Sequence, residues 1–286
     1  MSSLFDFEPK VDAYGVMGNP IAHSKSPQIH QSFAAQTQQS ISYDAILVDP
    51  GGLPQAVGNF VANGGKGLNI TVPFKKDAWN LVDTLSERAR LAGAVNTIAV
   101  QEDKTLFGDN TDGIGLIRDL SNNHNVTLQG KRILLVGAGG AARGVLGPLL
   151  DGKPEQLTLC NRTLKTAQEL LLDFSEPANC TACTFDSLPP QPYDVLINAT
   201  SASLQGEAPP LANTALHQNS VCYDMMYGAQ PTPFMLWAQQ RGAGYISDGL
   251  GMLVEQAAES FYIWRKVRPD SQIVIHNLRN RLQTAG

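Results

Sequence analysis

A glycine-rich turn constrains the fold of this chain more than any other feature. It lies in GKRILLVGAGGAARGVLGPLL, where the apolar run from Arg132 to Val136 is typical of a strand buried on both faces of a parallel sheet. Gly137, Gly139 and Ala142 fit the pattern G-x-G-x-x-G/A, and a segment of helical composition follows. Such a turn lets the backbone approach a pyrophosphate at the helix N-terminus. We therefore predict dinucleotide binding in preference to a purely structural glycine turn.

The end of the next predicted strand, LTLCN, indicates which dinucleotide is bound. NAD sites usually carry Asp or Glu there, whereas this chain continues with Asn161, Arg162 and Thr163, followed shortly by Lys165. A carboxylate would repel a 2′-phosphate, and a guanidinium can bind one. The sequence therefore favours NADP (NADPH/NADP+) over NAD. The alternative is a solvated basic loop.

Short strands alternate with helices along most of the chain. From Gly130 to about Ile246 this alternation predicts a Rossmann-type, doubly wound parallel sheet. The first hundred residues alternate as well, with strands in AYGVMG, YDAILV, GLNITV and VNTIAV, and predict a second α/β domain. DGIGLIRDLSNN reads as a linking helix with Asp112 near its start, and the tail from Asp248 reads as an amphipathic helix. The predicted fold class is a two-domain α/β protein.

Charge and composition exclude several classes of partner. The formal net charge is −5 and the sequence pI is about 5.5, which gives no electrostatic reason to expect nucleic acid or an anionic membrane. No apolar run approaches the ~20 residues of a membrane span, and the first residues, MSSLFDFEPK, do not resemble a signal peptide. We expect a soluble, cytoplasmic protein.

The four cysteines do not form a metal-binding pattern. CTAC, with Cys180 and Cys183, has CxxC spacing, but the second pair or the histidines of a structural zinc site are missing. The surrounding ANCTACTF reads as a strand, whereas a redox motif would place its first cysteine at a helix N-terminus. We interpret these residues as incidental thiols and predict no metal site.

Four polar clusters lie near the ends of predicted strands in the first domain: HSKSP, NITVPFK, AVNT and GDNTDGIG. They supply hydroxyls, amides, a lysine and an aspartate, which suit a small polyhydroxylated substrate better than a metal. Hydride transfer between an alcohol and a ketone also moves a proton on the oxygen, and a lysine near an aspartate can do this. Taken alone, Lys75 would be a surface lysine and Asp112 a helix cap.

The chain resembles the shikimate dehydrogenase family along nearly its whole length. The matching segments occur in the family's order and spacing: GNPIAHSKSPQIH, NITVPFK, AGAVNT, GDNTDGIG, GAGGAARG, NRT, NAT, YDMMY, TPF and DGLGMLVEQAA. The resemblance implies reversible, NADPH-dependent reduction of 3-dehydroshikimate to shikimate, a step toward aromatic amino acids. It implies a catalytic substrate domain of residues 1–112 with 248–286, an NADP-binding domain of residues 113–247, and an active site in the cleft between them.

The resemblance also implies roles for individual residues, with Lys75 and Asp112 as the catalytic pair. Lys75 would exchange a proton with the reacting oxygen. The implied substrate-binding residues are Ser24, Ser26, Asn69, Thr71, Asn96, Tyr227 and Gln256. The implied cofactor-binding residues are Gly137, Ala138, Gly139, Gly140, Ala141, Asn161, Arg162, Thr163, Lys165, Thr200, Met225 and Gly249.

Two positions depart from the family pattern. The second basic residue after NRT is expected at Thr166 but stands at Lys165, so we expect the phosphate contact to rest mostly on Arg162. Ser203 stands where the family commonly has glycine, and its side chain would crowd the nicotinamide-side loop. The alternatives are a quinate/shikimate dehydrogenase with relaxed substrate or NAD use, and a non-catalytic sensor of metabolite or dinucleotide. We expect a monomer or homodimer.

Overall fold

The computed structural model describes residues 11–174 and 179–285, which form two compact units. Unit 1 comprises the described residues up to Thr111 together with Ala257–Asp270, and unit 2 comprises Asp112–Gln256 and the chain from Ser271 onward. The C-terminal segment is therefore divided between the units. The division into a substrate domain of residues 1–112 with 248–286 and an NADP-binding domain of residues 113–247 stays a prediction.

Unit 1 contains a mixed six-stranded sheet flanked by helices. Its elements are β1 (Asp12–Gly18), α1 (Ser26–Thr37), β2 (Ile41–Leu47), α2 (Leu53–Ala62), β3 (Gly67–Ile70), α3 (Lys75–Leu81), β4 (Thr84–Leu85), α4 (Glu87–Ala92), β5 (Thr97–Val100) and β6 (Leu106–Asp109). The strand order is β2-β1-β3-β5-β6-β4. The first three strands are parallel, whereas β5 is antiparallel to both β3 and β6. A short turn joins β5 to β6, as an antiparallel pair allows. The sheet's core includes Leu68, Ile70, Phe74 and Ile98.

Unit 2 contains a six-stranded sheet in which every pairing is parallel. Its elements are α5 (Asp112–Arg118), a π-helical turn (Asp119–Asn123), β7 (Arg132–Val136), α6 (Gly140–Asp151), β8 (Gln156–Cys160), α7 (Leu164–Asp173), β9 (Cys180–Cys183), β10 (Val195–Asn198), β11 (Val221–Asp224), α8 (Pro233–Gln240) and β12 (Tyr245–Asp248). The order β12-β11-β10-β7-β8-β9 is that of a Rossmann sheet, so this part of the predicted fold is confirmed.

Two further helices follow: α9 (Leu250–Arg265), in which the division between the units falls, and α10 (Ser271–Ala285). Across the parts of the chain that the structure describes, no helix combines the length and the apolar character needed to span a bilayer.

Several local expectations need correction. The strand in GLNITV ends at Ile70, so Thr71 lies beyond it, although the Thr71 N–H still donates to the Met17 carbonyl at 2.9 Å. Lys75 begins α3 rather than ending a strand. The predicted linking helix becomes a π-helical turn at Asp119, whose buried carboxylate accepts hydrogen bonds from Tyr223 and Asn123. Sequence analysis missed the separate helix α10 and strands β4 and β6.

Candidate functional site

The glycine-rich turn of unit 2 lies between β7 and α6. Gly137 has a φ of 105°, which favours glycine, and a Cβ there would lie 3.0 Å from the methyl carbon of Thr200. Gly139 and Gly140 are exposed, and a Cβ on either would meet nothing within 4 Å. The amides of the first turn of α6 have no partner within the helix, and they lie at this exposed turn beside the exposed Ala141 and the half-buried Ala138. This arrangement fits the pyrophosphate of a dinucleotide.

The segment that follows β8, residues 161–165, contains basic side chains and no carboxylate. Asn161 is anchored, since its N–H donates to the Cys183 carbonyl and its Nδ2 to the Thr163 carbonyl, both at 3.0 Å. Arg162 is exposed and has no ion-pair partner among the residues described. Lys165 Nζ lies 3.7 Å from Glu169 Oε1. Arg162 is therefore the guanidinium available for a 2′-phosphate, in keeping with a donor set for NADP.

The other predicted cofactor residues lie at the carboxyl ends of β10, β11 and β12. A Cβ on Gly249 would lie 2.2 Å from the Met225 carbonyl oxygen, so only glycine fits there. The Met225 N–H donates to the Asn198 carbonyl at 2.9 Å, and the Thr200 hydroxyl donates to Asn198 Oδ1 at 2.7 Å. The structure thus brings Gly137 beside Thr200, and Met225 beside Gly249, at the sheet edge where doubly wound folds bind ligands.

Asp224, the last residue of β11, is a buried carboxylate that sequence analysis did not assign to the site. Its Oδ2 accepts from Ser203 at 2.7 Å and Thr232 at 2.6 Å, and its Oδ1 accepts from Asn198 Nδ2 and the Met226 N–H. Burial raises the pKa of this carboxyl, while its hydrogen bonds act in the opposite direction. The motif YDMMY contained the signal, because a carboxylate at the end of a buried strand needs partners.

In unit 1, Asn69 and Asn96 belong to one buried polar network. Asn69 Oδ1 accepts from the Tyr43 hydroxyl at 2.7 Å, and Asn69 Nδ2 lies 3.0 Å from Ser260 Oγ. Asn96 Oδ1 accepts from the Thr111 N–H at 2.9 Å. The two asparagines are also joined directly, since Asn69 Nδ2 donates to the Asn96 carbonyl at 3.2 Å. Sequence analysis named both asparagines but missed Tyr43, Thr111 and Ser260.

The two serines of HSKSP stand at the start of α1. Ser26 is buried, and its N–H donates to the half-buried Ser24 Oγ at 3.3 Å. Burial raises the pKa of Tyr43, the hydrogen-bond partner of Asn69, well above its ordinary value, and the nearby Ser26 acts in the opposite direction. Ser26 thus lies near the network of Asn69, and Thr71 is half-buried just after β3.

The lysines of NITVPFKK differ in exposure. Lys75 is half-buried and its carbonyl accepts from the Val95 N–H at 2.9 Å, whereas Lys76 is exposed. In unit 2, Asp112 is half-buried at the start of α5. Gln256 is half-buried on α9, where its Nε2 donates to the Leu253 carbonyl at 2.9 Å. Tyr227 is half-buried as well, and burial raises its pKa.

The contacts of Asp109 and of the cysteines indicate structural roles. Asp109 is buried and accepts two hydrogen bonds from Arg88 and one from Ser86. Cys160 and Cys183 face each other across β8 and β9, and their interaction together with burial raises the pKa of Cys160. Within residues 11–174 and 179–285, no three His, Cys, Asp or Glu side chains are grouped so that they could hold a metal ion.

Together, the Rossmann sheet of unit 2 and its glycine turn define a dinucleotide-binding α/β chain. Three family models match it: "Shikimate dehydrogenase substrate binding domain" over residues 16–98, "Shikimate / quinate 5-dehydrogenase" over 119–209, and "Shikimate 5'-dehydrogenase C-terminal domain" over 249–279. A protein of Alkalilimnicola ehrlichii named shikimate dehydrogenase (NADP(+)) is 56% identical, with 94% of this chain and 98% of that protein covered. The chain belongs to the shikimate dehydrogenase family.

Solved structures are similar over the same length. The crystal structure of an Ael1 enzyme from Pseudomonas putida has a TM-score of 0.90 at 42% identity, covering 93% of this chain and 98% of the other. Shikimate 5-dehydrogenase from Thermus thermophilus, in complex with NADP(H) and shikimate, has a TM-score of 0.84 at 29% identity, covering 95% of this chain and 100% of the other. The family resemblance found in the sequence is thus confirmed.

Proposed function

We propose that this chain is an oxidoreductase that catalyses the reversible NADPH-dependent reduction of 3-dehydroshikimate to shikimate, in aromatic amino acid biosynthesis. The observation that carries the proposal is the glycine turn before α6 combined with the exposed Arg162 after β8, in a chain of this family. Bound NADPH would supply the hydride. The relative from Alkalilimnicola ehrlichii is named for NADP(+), which supports this choice of cofactor.

We propose Lys75 as the group that exchanges the proton with the reacting oxygen, with Asp112 as its partner. The half-buried position of Lys75 at the start of α3 supports this role, because a helix start fixed to Val95 limits where the side chain can reach. Ser24 and Ser26 would bind the substrate carboxylate with their hydroxyls, and Tyr227 would assist.

The remaining proposed substrate residues are Asn69, Thr71, Asn96 and Gln256. Asn69 and Asn96 would bind ring hydroxyls by exchanging partners within the network that they already form, and Thr71 and Gln256 would add a hydroxyl and an amide. Buried amides held by several hydrogen bonds keep a fixed orientation, and this favours discrimination between substrates that differ by one hydroxyl. Quinate is the rival substrate, and relaxed use of NAD is the rival cofactor preference.

A two-substrate, two-cofactor assay tests the function. Purified protein is mixed with shikimate or quinate and with NADP+ or NAD+, and reduced nicotinamide is followed by its absorbance. We expect turnover with shikimate, faster with NADP+. Absence of turnover with every pair would overturn the proposal, and equal turnover of quinate would favour the rival.

The role of Lys75 is tested by Lys75→Ala, with Lys76→Ala as the matched control. We expect kcat to fall by about 100- to 10,000-fold for Lys75→Ala, as for the loss of a general acid–base group, with a smaller effect on KM. The exposed Lys76 should tolerate the same truncation. Equal kcat values for the two variants would contradict the assignment.

Arg162→Ala tests the 2′-phosphate contact. KM for NADP+ should rise by about tenfold or more, while KM for NAD+, which lacks the phosphate, should change little. An equal rise for both cofactors would reject the assignment.

We further propose that the protein works in the cytoplasm as a monomer or homodimer, without nucleic acid or membrane partners. Size-exclusion chromatography with light scattering would test its oligomeric state.

A further inference from the structure

A single buried carboxylate in unit 2 joins four segments at the carboxyl ends of the strands. Asp224 accepts hydrogen bonds from Asn198 at the end of β10, from Ser203 in the following loop, from Met226 after β11 and from Thr232 at the start of α8. Its side chain is buried and each oxygen has two donors, so the position of each donor group is tied to the others.

The loop from Thr200 to Ser203 depends most directly on this carboxylate. Its first residue is held by Asn198 Oδ1, which accepts from both the Thr200 N–H and the Thr200 hydroxyl. Its last residue is held by the 2.7 Å bond from Ser203 Oγ to Asp224. Because Asn198 is itself bonded to Asp224, both ends of the loop are fixed to the same group.

This loop forms one wall of the glycine turn. Thr200 stands where a Cβ on Gly137 would touch it, and the Ala199 carbonyl is 3.3 Å from the same point. On the other side of Asp224, Met225 packs on Gly249. A shift of the carboxylate or of its donors would therefore move the Thr200–Ser203 loop beside the turn, and also Met225 beside Gly249.

We infer that Asp224 and Ser203 are positioning residues for the dinucleotide, holding the Thr200–Ser203 loop in place against the glycine turn and Met225 in place on Gly249. The inference rests on the proposed function. It also corrects the expectation for Ser203, because its hydroxyl is bonded to Asp224 and anchors the loop.

The test compares Ser203→Ala with Ser220→Ala and the conservative Ser203→Thr. Ser220 is a buried serine of unit 2 whose hydroxyl takes part in two hydrogen bonds, but it precedes β11, at the amino ends of the parallel strands. NADPH binding is measured directly by fluorescence titration without substrate, followed by KM for NADP+ and kcat with shikimate. We expect Ser203→Ala to raise the Kd for NADPH about tenfold, since a hydrogen bond to a charged group is lost. KM for NADP+ should change more than kcat.

Ser203→Thr should retain most of the affinity, and Ser220→Ala should bind NADPH like the wild type whatever its thermal stability. Equal NADPH affinity in Ser203→Ala and wild type would overturn the inference, as would equal weakening by Ser220→Ala. Amide hydrogen exchange of the unliganded protein provides the second readout, with faster exchange at Ala202 expected in Ser203→Ala. Unchanged exchange would also overturn the inference. A wild-type protein that binds NADPH but does not oxidise shikimate would instead overturn the proposed function alone.

Discussion

Lowering the pH should destabilise unit 1 through the buried histidine His30. Its ring stacks on Tyr43, with centroids 4.2 Å apart and planes 6° apart, and lies beside Phe33, Phe261 and Trp264. Neither ring nitrogen has a hydrogen-bond partner in the described structure. Burial lowers the pKa of His30 from its ordinary 6.5 to about 3, despite the opposing effect of Asn69. Tyr43 does not titrate in this range, because burial raises its pKa.

The size of the effect follows from the two pKa values. The unfolded chain takes up a proton on His30 near pH 6.5, whereas the folded chain does so only near pH 3. The stability that depends on neutral His30 is therefore complete above pH 6.5 and is lost as the pH falls toward 3. Between about pH 7.5 and about pH 5, unit 1 should lose about 2 kcal/mol of unfolding free energy through this group.

Urea unfolding followed by tryptophan fluorescence measures this loss. In a Trp237→Phe background the two remaining tryptophans, Trp79 and Trp264, both lie in unit 1. His30→Phe keeps a stacked ring that cannot be protonated, and His276→Gln removes an exposed histidine as the matched control. The His30→Phe protein should lose about 2 kcal/mol less than the control between the two pH values. The same pH dependence in both proteins would show that protonation of His30 does not cause the loss.

Three further predictions concern buried or half-buried charged side chains and their hydrogen-bond partners. Arg88→Met leaves Asp109 buried without its guanidinium and should cost about 3 kcal/mol in urea unfolding; a loss below about 1 kcal/mol would contradict this. Tyr223→Phe removes the 2.6 Å hydrogen bond to Asp119 and should cost about 1–3 kcal/mol. Calorimetry measures the Tm of Tyr223→Phe, and an unchanged Tm would contradict this prediction. Asp112→Asn should lower kcat, because the variant lacks the carboxylate proposed to pair with Lys75. An unchanged kcat would remove Asp112 from the proposed pair.

The Rossmann part of the fold could be predicted from the sequence because its signals are local. The run from Arg132 to Val136 is apolar throughout, and the glycine turn follows it without a gap. Strand β7 and helix α6 appear there as expected. The mixed sheet of unit 1 was harder to predict, since the direction of β5 depends on its pairing with both β3 and β6. Short strands such as β4 carry too few residues for a period to be seen.

The buried networks could not be predicted for a different reason. Ser260 lies 191 residues from Asn69 and contacts its side chain at 3.0 Å. Asp224 and Ser203 are 21 residues apart, with an intervening segment that has no pattern linking the two positions. Periodicity places each residue on a face of its own element, but it does not identify the partner on another element. YDMMY contains Asp224, and Ser203 was singled out as a departure from the family pattern, but neither feature indicated that a hydrogen bond joins the two residues.

The two lysines that follow β3 show what the structure adds to a correct motif. On a strand running through GLNITV, Asn69 and Thr71 would lie on one face, yet the strand ends at Ile70 and the Phe74 N–H donates back to the Thr71 carbonyl at 3.0 Å. That turn makes Lys75 the first residue of α3, with its carbonyl bonded to Val95. In a helix, consecutive residues point about 100° apart, so one lysine is half-buried while Lys76 faces solvent. The turn therefore separates two lysines that the sequence leaves equivalent, and the comparison of Lys75→Ala with Lys76→Ala measures the consequence.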